Sequence, residues 1–221
     1  MEQRVSFGQA IGATVALVSS DLAIVLMMIA GIAAIATVID VTAPSASNVL
    51  NIPVLVVQYY VVRRLVDRND LRSADRLGGF GAFFVAGLLT GLAMILGIVL
   101  FVLPGIYLSA RWTMVDAVVV AENRGATEAM RRSWDATKGN VLPIIFAGLV
   151  IGIPAIIGLA LLFAVGAGTQ GDISASVNLG LSATSNVLLY ASQVAGWYFG
   201  VALYQLFLAG PARTQLGEVF A

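Results

Sequence analysis

Positive charge in this chain is confined to alternate connectors. Of the twelve basic residues, Arg4, Arg63, Arg64, Arg68, Arg72, Arg76, Arg124, Arg131, Arg132, Lys138 and Arg213 fall in segments that can all lie on one side of a membrane. Only Arg111 sits inside an apolar stretch, and the connectors at 40–47 and 167–181 carry neither Lys nor Arg. Connectors rich in Lys and Arg stay on the cytoplasmic face, whereas neutral ones cross. The pattern therefore predicts a multi-pass membrane protein with both termini cytoplasmic.

Composition agrees. Charged residues make up 11% of the chain and hydrophobic ones 59%, where a soluble domain has about 25% charged. That leaves room for a single transmembrane domain over residues 1–221. Cys and His are both absent, which removes thiol and imidazole chemistry and the usual zinc, haem and iron–sulfur ligand sets. No phosphate loop, nucleophile elbow, zinc-protease motif or carboxylate cluster is present. No cofactor, metal or nucleic-acid partner is expected, and the expected role is non-enzymatic. The weakly basic start, followed by mostly uncharged residues, fits a cleaved signal peptide poorly, so the N-terminus is expected to be retained.

A membrane-spanning helix needs about 20 apolar residues. Six candidates follow, at 22–39, 49–62, 80–103, 105–121, 141–167 and 186–209, with Pro104-Gly105 as the outer turn between the third and fourth. A five-span alternative treats 80–110 as one tilted helix. It strands Arg111, Arg124, Arg131, Arg132 and Lys138 outside and puts the apolar run 115–121 in water, so six spans are preferred. The fold class expected is an all-α polytopic bundle with interfacial amphipathic helices. One such helix carries Ala126, Met130, Trp134 and Thr137 on one stripe, with Glu128/Arg132 and Arg131/Asp135 as i,i+4 pairs. Trp134, Arg131 and Arg132 are its expected interfacial anchors. A weaker stripe runs through Phe7, Ile11, Thr14, Val15 and Val18. An ordinary connector packed on the bundle is the equal alternative for both.

Short strings recur at matched positions. Asp21 falls opposite Asn140, and Ser47-Asn48-Val49-Leu50 recurs as Ser185-Asn186-Val187-Leu188. They suggest a parallel repeat of 6–66 and 125–210 around a hairpin at 80–121, a duplication common in transporter folds.

Arg111 lies seven residues after Pro104 and eleven before Glu122, which at about 1.5 Å per residue is deep in the apolar layer. Asp116 follows on the same span. Five residues apart is about 140° of helix rotation, so the two do not face each other. Each should find its partner on another helix, with Gln58, Gln193 and Gln205 at similar depth. Ionisable groups so placed mark either a polar site for an anionic headgroup or ion, or a structural clamp. Gly87/Gly91, Gly148/Gly152 and Gly196/Gly200 have the spacing that lets helices approach closely. Pro154 should kink its span.

The stretch LPGIYLSARWTMVDAVVVAENRGATEAMRRSWDATKGN at 103–140 resembles the membrane-domain family of glycerophosphoryl diester phosphodiesterases and the related YciC-like inner-membrane proteins. The resemblance rests on Pro104-Gly105, Arg111, Glu122, and Ala129 with Ser133 and Gly139. It implies a multi-span helical domain linked to lipid metabolism. Some relatives carry a soluble phosphodiesterase domain; these 221 residues contain no such domain, so that activity is not expected. The expectation is a bacterial inner-membrane protein that interacts with membrane lipids. It would serve a larger membrane complex as an accessory subunit, or form a homo-oligomer. The alternative is a small transporter or channel for a lipid or small solute, working through Arg111 and Asp116.

Overall fold

The computed structural model describes residues 4–168 and 175–209; Asp172 and Arg213 lie outside them. Among the described residues the chain is all helix and irregular connection, without strands. In order come α1 (Phe7–Ser20), α2 (Leu22–Thr42), a 3-10 segment (Pro44–Leu50), α3 (Asn51–Arg68) and α4 (Phe80–Leu100). There follow α5 (Val102–Trp112), α6 (Val115–Glu122), α7 (Ala126–Ala136), α8 (Val141–Gly168), α9 (Ala175–Tyr204) and a π-helical turn (Gln205–Ala209).

Among the described residues five segments are long and apolar enough to cross a membrane: Leu22–Thr42, Pro44–Arg68, Phe80–Leu100, Val141–Phe163 and Ser176–Ala209. The remaining expected span is present as two helices, α5 and α6, divided at Thr113–Met114. Together they run back along α4. At one end a Cβ placed on Gly97 would come 3.0 Å from Gly105 Cα. At the other, Gly78 N–H donates to the Val120 carbonyl at 2.9 Å. The pair thus covers the same length as α4.

Three boundaries differ from expectation. The turn between α4 and α5 is made at Phe101, whose backbone is extended, and not at Pro104-Gly105. Pro104 sits in the first turn of α5, where a missing N–H leaves no bond unmade. Gly105 is buried because its bare backbone packs against Ile98. The second crossing is longer than 49–62, since the helix runs on to Arg68. The last begins at Ala175, well before 186.

The arginine-bearing ends meet. Asp21, at the junction of α1 and α2, is 2% exposed in its side chain and pairs with Arg64 at 3.0 Å and with Arg68. Glu122 closes α6 and accepts from Arg124 at 2.5 Å and Arg132 at 3.3 Å. Arg132 therefore ties α7 to α6 and does not make the expected pair with Glu128. Asn123 takes the left-handed conformation that ends a helix (φ 49) and turns the chain into α7. At the opposite end Asn186 of α9 donates to Asp40 at 2.8 Å and to Thr37 at 3.1 Å of α2. Asp21 and Asn140 are both buried, at the α1–α2 and α7–α8 junctions.

α6 is the innermost element: Val115 and 117–121 are each at most 2% exposed, enclosed by α3, α4, α7 and α9. The outer faces of α2, α4 and α8 present Leu, Ile, Val and Phe, as lipid contact requires. α1 lies on α8 and α9, burying Ala10, Thr14 and Leu17, while Phe7 and Val15 turn outward. Its apolar stripe is shared between bundle and surroundings.

Pro154 lies inside α8 and cannot donate to the preceding turn. The next rung is also open. Ala155 N–H donates to the Ser192 hydroxyl at 2.9 Å, and that hydroxyl donates to the Ile151 carbonyl at 2.9 Å. A side chain of α9 thus stands inside the α8 ladder, one of the recognised causes of a kink. Ser192→Ala removes the bridge and strands two backbone groups in an apolar layer. The expected loss is about 1–2 kcal/mol, read as a lower thermal midpoint in detergent.

Candidate functional site

The break between α5 and α6 brings the two ionisable groups of the apolar layer to helix ends. Arg111 is in the last turn of α5 and Asp116 in the first turn of α6. A cation at a helix C-terminus and an anion at an N-terminus each gain about 0.3–1 kcal/mol from the helix dipole. The carbonyls freed by the break are taken up by hydroxyls. Thr113 donates to Ser109 O at 2.6 Å, and Ser133 of α7 donates to Arg111 O at 2.8 Å. Sequence gives no break signal here, since Trp112-Thr113-Met114 contains neither Gly nor Pro.

Asp116 is partly buried and accepts from Gln58 Nε2 of α3 at 2.6 Å. The two form the floor of a hollow of about 340 Å³ between α3 and α4. Asn51 stands at its far end, and Leu55, Phe84, Leu88 and Met94 supply apolar wall. Phe84 and Leu88 on its border are exposed. Below Asp116 it meets the closed packing of α6.

Arg111 has a different setting. It is 4% exposed and forms none of the ion pairs found among the described residues. Its guanidinium carbon lies 4.2 Å from the Trp134 ring centroid and 5.8 Å from that of Tyr107. Trp134 also meets Tyr107 edge-on at 5.8 Å and Trp112 at 5.9 Å. Arg111 thus clasps α7 onto α5 through aromatic faces, a contact worth about 2 kcal/mol when water is excluded. Its lining of the cleft is nil: Asp116 reaches the hollow and Arg111 does not.

Of the expected site residues, the fold joins Gln58 with Asp116 and Arg111 with Trp134. Gln193 is exposed on α9 and hydrogen-bonds neither Arg111 nor Asp116. Arg131 is exposed and among the described residues pairs with Asp135 at 4.0 Å, whereas Arg132 reaches Glu122. Trp112 and Asn51 belong to the sites without having been singled out for them, whereas Tyr107 is expected on the Arg111 face. The Tyr107/Arg111 spacing of one helical turn was the available signal.

The glycine pairs need correction. Only Gly200 makes a close backbone approach, a Cβ there coming 2.6 Å from the Thr113 carbonyl oxygen. Gly87 and Gly148 face side chains at ordinary distance, and Gly91, Gly152 and Gly196 meet nothing within 4 Å. These five border space. Gly87 and Gly91 line the hollow above Asp116, and Gly148, Gly152 and Gly196 line a second hollow of about 310 Å³ between α5, α8 and α9. Spacing alone says that a helix face is small, not what stands opposite. The close contacts fall at Gly78, Gly97, Gly105 and Gly158 as well as Gly200.

Residues 82–212, more than half of the chain, match a family model described as the membrane domain of glycerophosphoryl diester phosphodiesterase. No curated protein and no solved structure matches the chain.

Proposed function

This chain belongs to the membrane-domain family of glycerophosphoryl diester phosphodiesterase, and we propose that it is a non-enzymatic, lipid-binding protein of the bacterial inner membrane. It serves a larger membrane assembly as an accessory subunit. The arginine-bearing end, with α1 and α7, faces the cytoplasm, following the charge bias. The family match is to a membrane domain and brings no catalytic segment with it.

The observation that carries this reading is the cleft between α3 and α4. Its walls suit an acyl chain or glycerol backbone, while Asn51, Gln58 and Asp116 offer hydrogen bonds to the polar part of the same molecule. Sites of about 300–1,000 Å³ with apolar walls and a few convergent polar groups are the usual form of a small-molecule site. Transport would require the cleft to continue past Asp116, where the packed α6 closes it.

Gly91→Leu tests the reading. A Cβ at this position meets nothing within 4 Å, so the leucine side chain extends from the helix into the cleft that Gly91 lines. Native mass spectrometry of protein released from nanodiscs should show loss of bound phospholipid, with a thermal midpoint equal to that of the parent. Retained lipid at parental occupancy would sink the cleft as a lipid site. Flux of a solute through proteoliposomes, abolished by the same variant, would favour transport.

A further inference from the structure

We infer that Arg111, Trp134 and Tyr107 form a second binding site, which takes the phosphate group of an anionic ligand. The inference is independent of the cleft. Arg111 is more than nine-tenths buried, and its Nε is fully enclosed with no acceptor among the described residues. No Asp or Glu of the described chain pairs with it. A buried charge without a counter-ion is costly by several kcal/mol, and aromatic faces return only part of that.

The groups around it are donors as well. The Trp134 indole N–H and the Tyr107 hydroxyl make no hydrogen bond within the described residues, and neither does the Trp112 indole. Within the described residues the fold thus provides no acceptor for the Arg111 Nε or for the two rings stacked on its guanidinium. What would complete the set is an anion with several acceptor oxygens. A phosphate suits the planar guanidinium fork, which can give it two parallel bonds.

Access runs along α5. Tyr107, one turn from Arg111, is 41% exposed, and Leu103, one turn further, is 78% exposed. The edge of the site is therefore open at Tyr107, whose ring is apolar with a polar tip. The ligand is a phospholipid headgroup or a free phosphate, and the two sources share the same contacts.

Tryptophan fluorescence reads the site directly, because two of the three tryptophans, Trp112 and Trp134, surround it. The full chain in dodecyl maltoside is titrated with phosphatidylglycerol, with diacylglycerol and with inorganic phosphate. A saturable change is expected with phosphatidylglycerol and none with diacylglycerol. Arg111→Gln should weaken the apparent affinity at least about tenfold, and Arg111→Lys by less. If Arg111→Gln does not fold, Tyr107→Phe keeps the ring, loses the donor and should weaken binding about threefold. Inorganic phosphate that saturates the same signal and competes with the lipid assigns the site to free phosphate; phosphate without effect assigns it to the lipid headgroup. Equal responses to phosphatidylglycerol and diacylglycerol, or parental affinity in the folded variants, overturn the inference.

Discussion

Gly78→Ala should abolish the folded protein. Gly78 precedes α4 and lies flat against α6, where any Cβ would overlap the Val119 carbonyl group. The obstacle is backbone within the most enclosed helix of the molecule, so it cannot swing aside as a side-chain tip would. The same residue donates its N–H to Val120 O at 2.9 Å and accepts from the Tyr59 hydroxyl at 2.9 Å. Moving it breaks both bonds and the seat of Tyr59 among Phe80 and Phe83. Overpacking alone costs about 1–3 kcal/mol, and each bond lost from a buried group adds about 1–3 kcal/mol. Most of a typical stability of about 5–15 kcal/mol is then gone. Size-exclusion chromatography in detergent should show aggregate in place of a single peak, while Gly91→Ala, in open space, elutes as the parent.

The second large effect is asymmetric. Asp21 is buried and Arg64 and Arg68 are nearly half exposed. Replacing both arginines by Gln leaves a carboxylate without counter-charge in a dry junction, a change of about 3–5 kcal/mol. Asp21→Asn leaves instead two guanidinium groups that water can hydrate, and the ion pairs lost are screened; about 1 kcal/mol is expected. Thermal unfolding of the two variants in the same detergent should separate them clearly. Equal midpoints would show that the junction is held by packing, with the charges incidental.

Asp21 also marks what could be read from sequence and what could not. The alternation of charged and neutral connectors sets the crossings because hydrophobicity and charge act locally along the chain. The same arginines, taken one by one, reported orientation only; that two of them hold Asp21 depends on α3 returning to the α1–α2 junction. Pro154 announced a kink, but the Ser192 hydroxyl that completes it comes from another helix. Asp116 was expected to bond outside its own helix, and Gln58 is that partner. Trp134 read as a membrane anchor because its neighbours in sequence are amphipathic; its position over Arg111 follows from α7 folding back against α5. The division at Thr113–Met114 left no mark, since hydroxyls from α7 satisfy the break and no residue there forbids a helix.

The glycines divide stability from occupancy. Those at 78, 97, 105, 158 and 200 permit contact, and bulk there is opposed by backbone. Those at 91, 152 and 196 border open space, and a Cβ there meets nothing within 4 Å. Replacing one of the second set by Ala narrows its hollow without a clash and favours the helix, in which Gly is disfavoured by about 1 kcal/mol. What this scaffold holds can therefore be altered by substitution while the scaffold itself stays fixed.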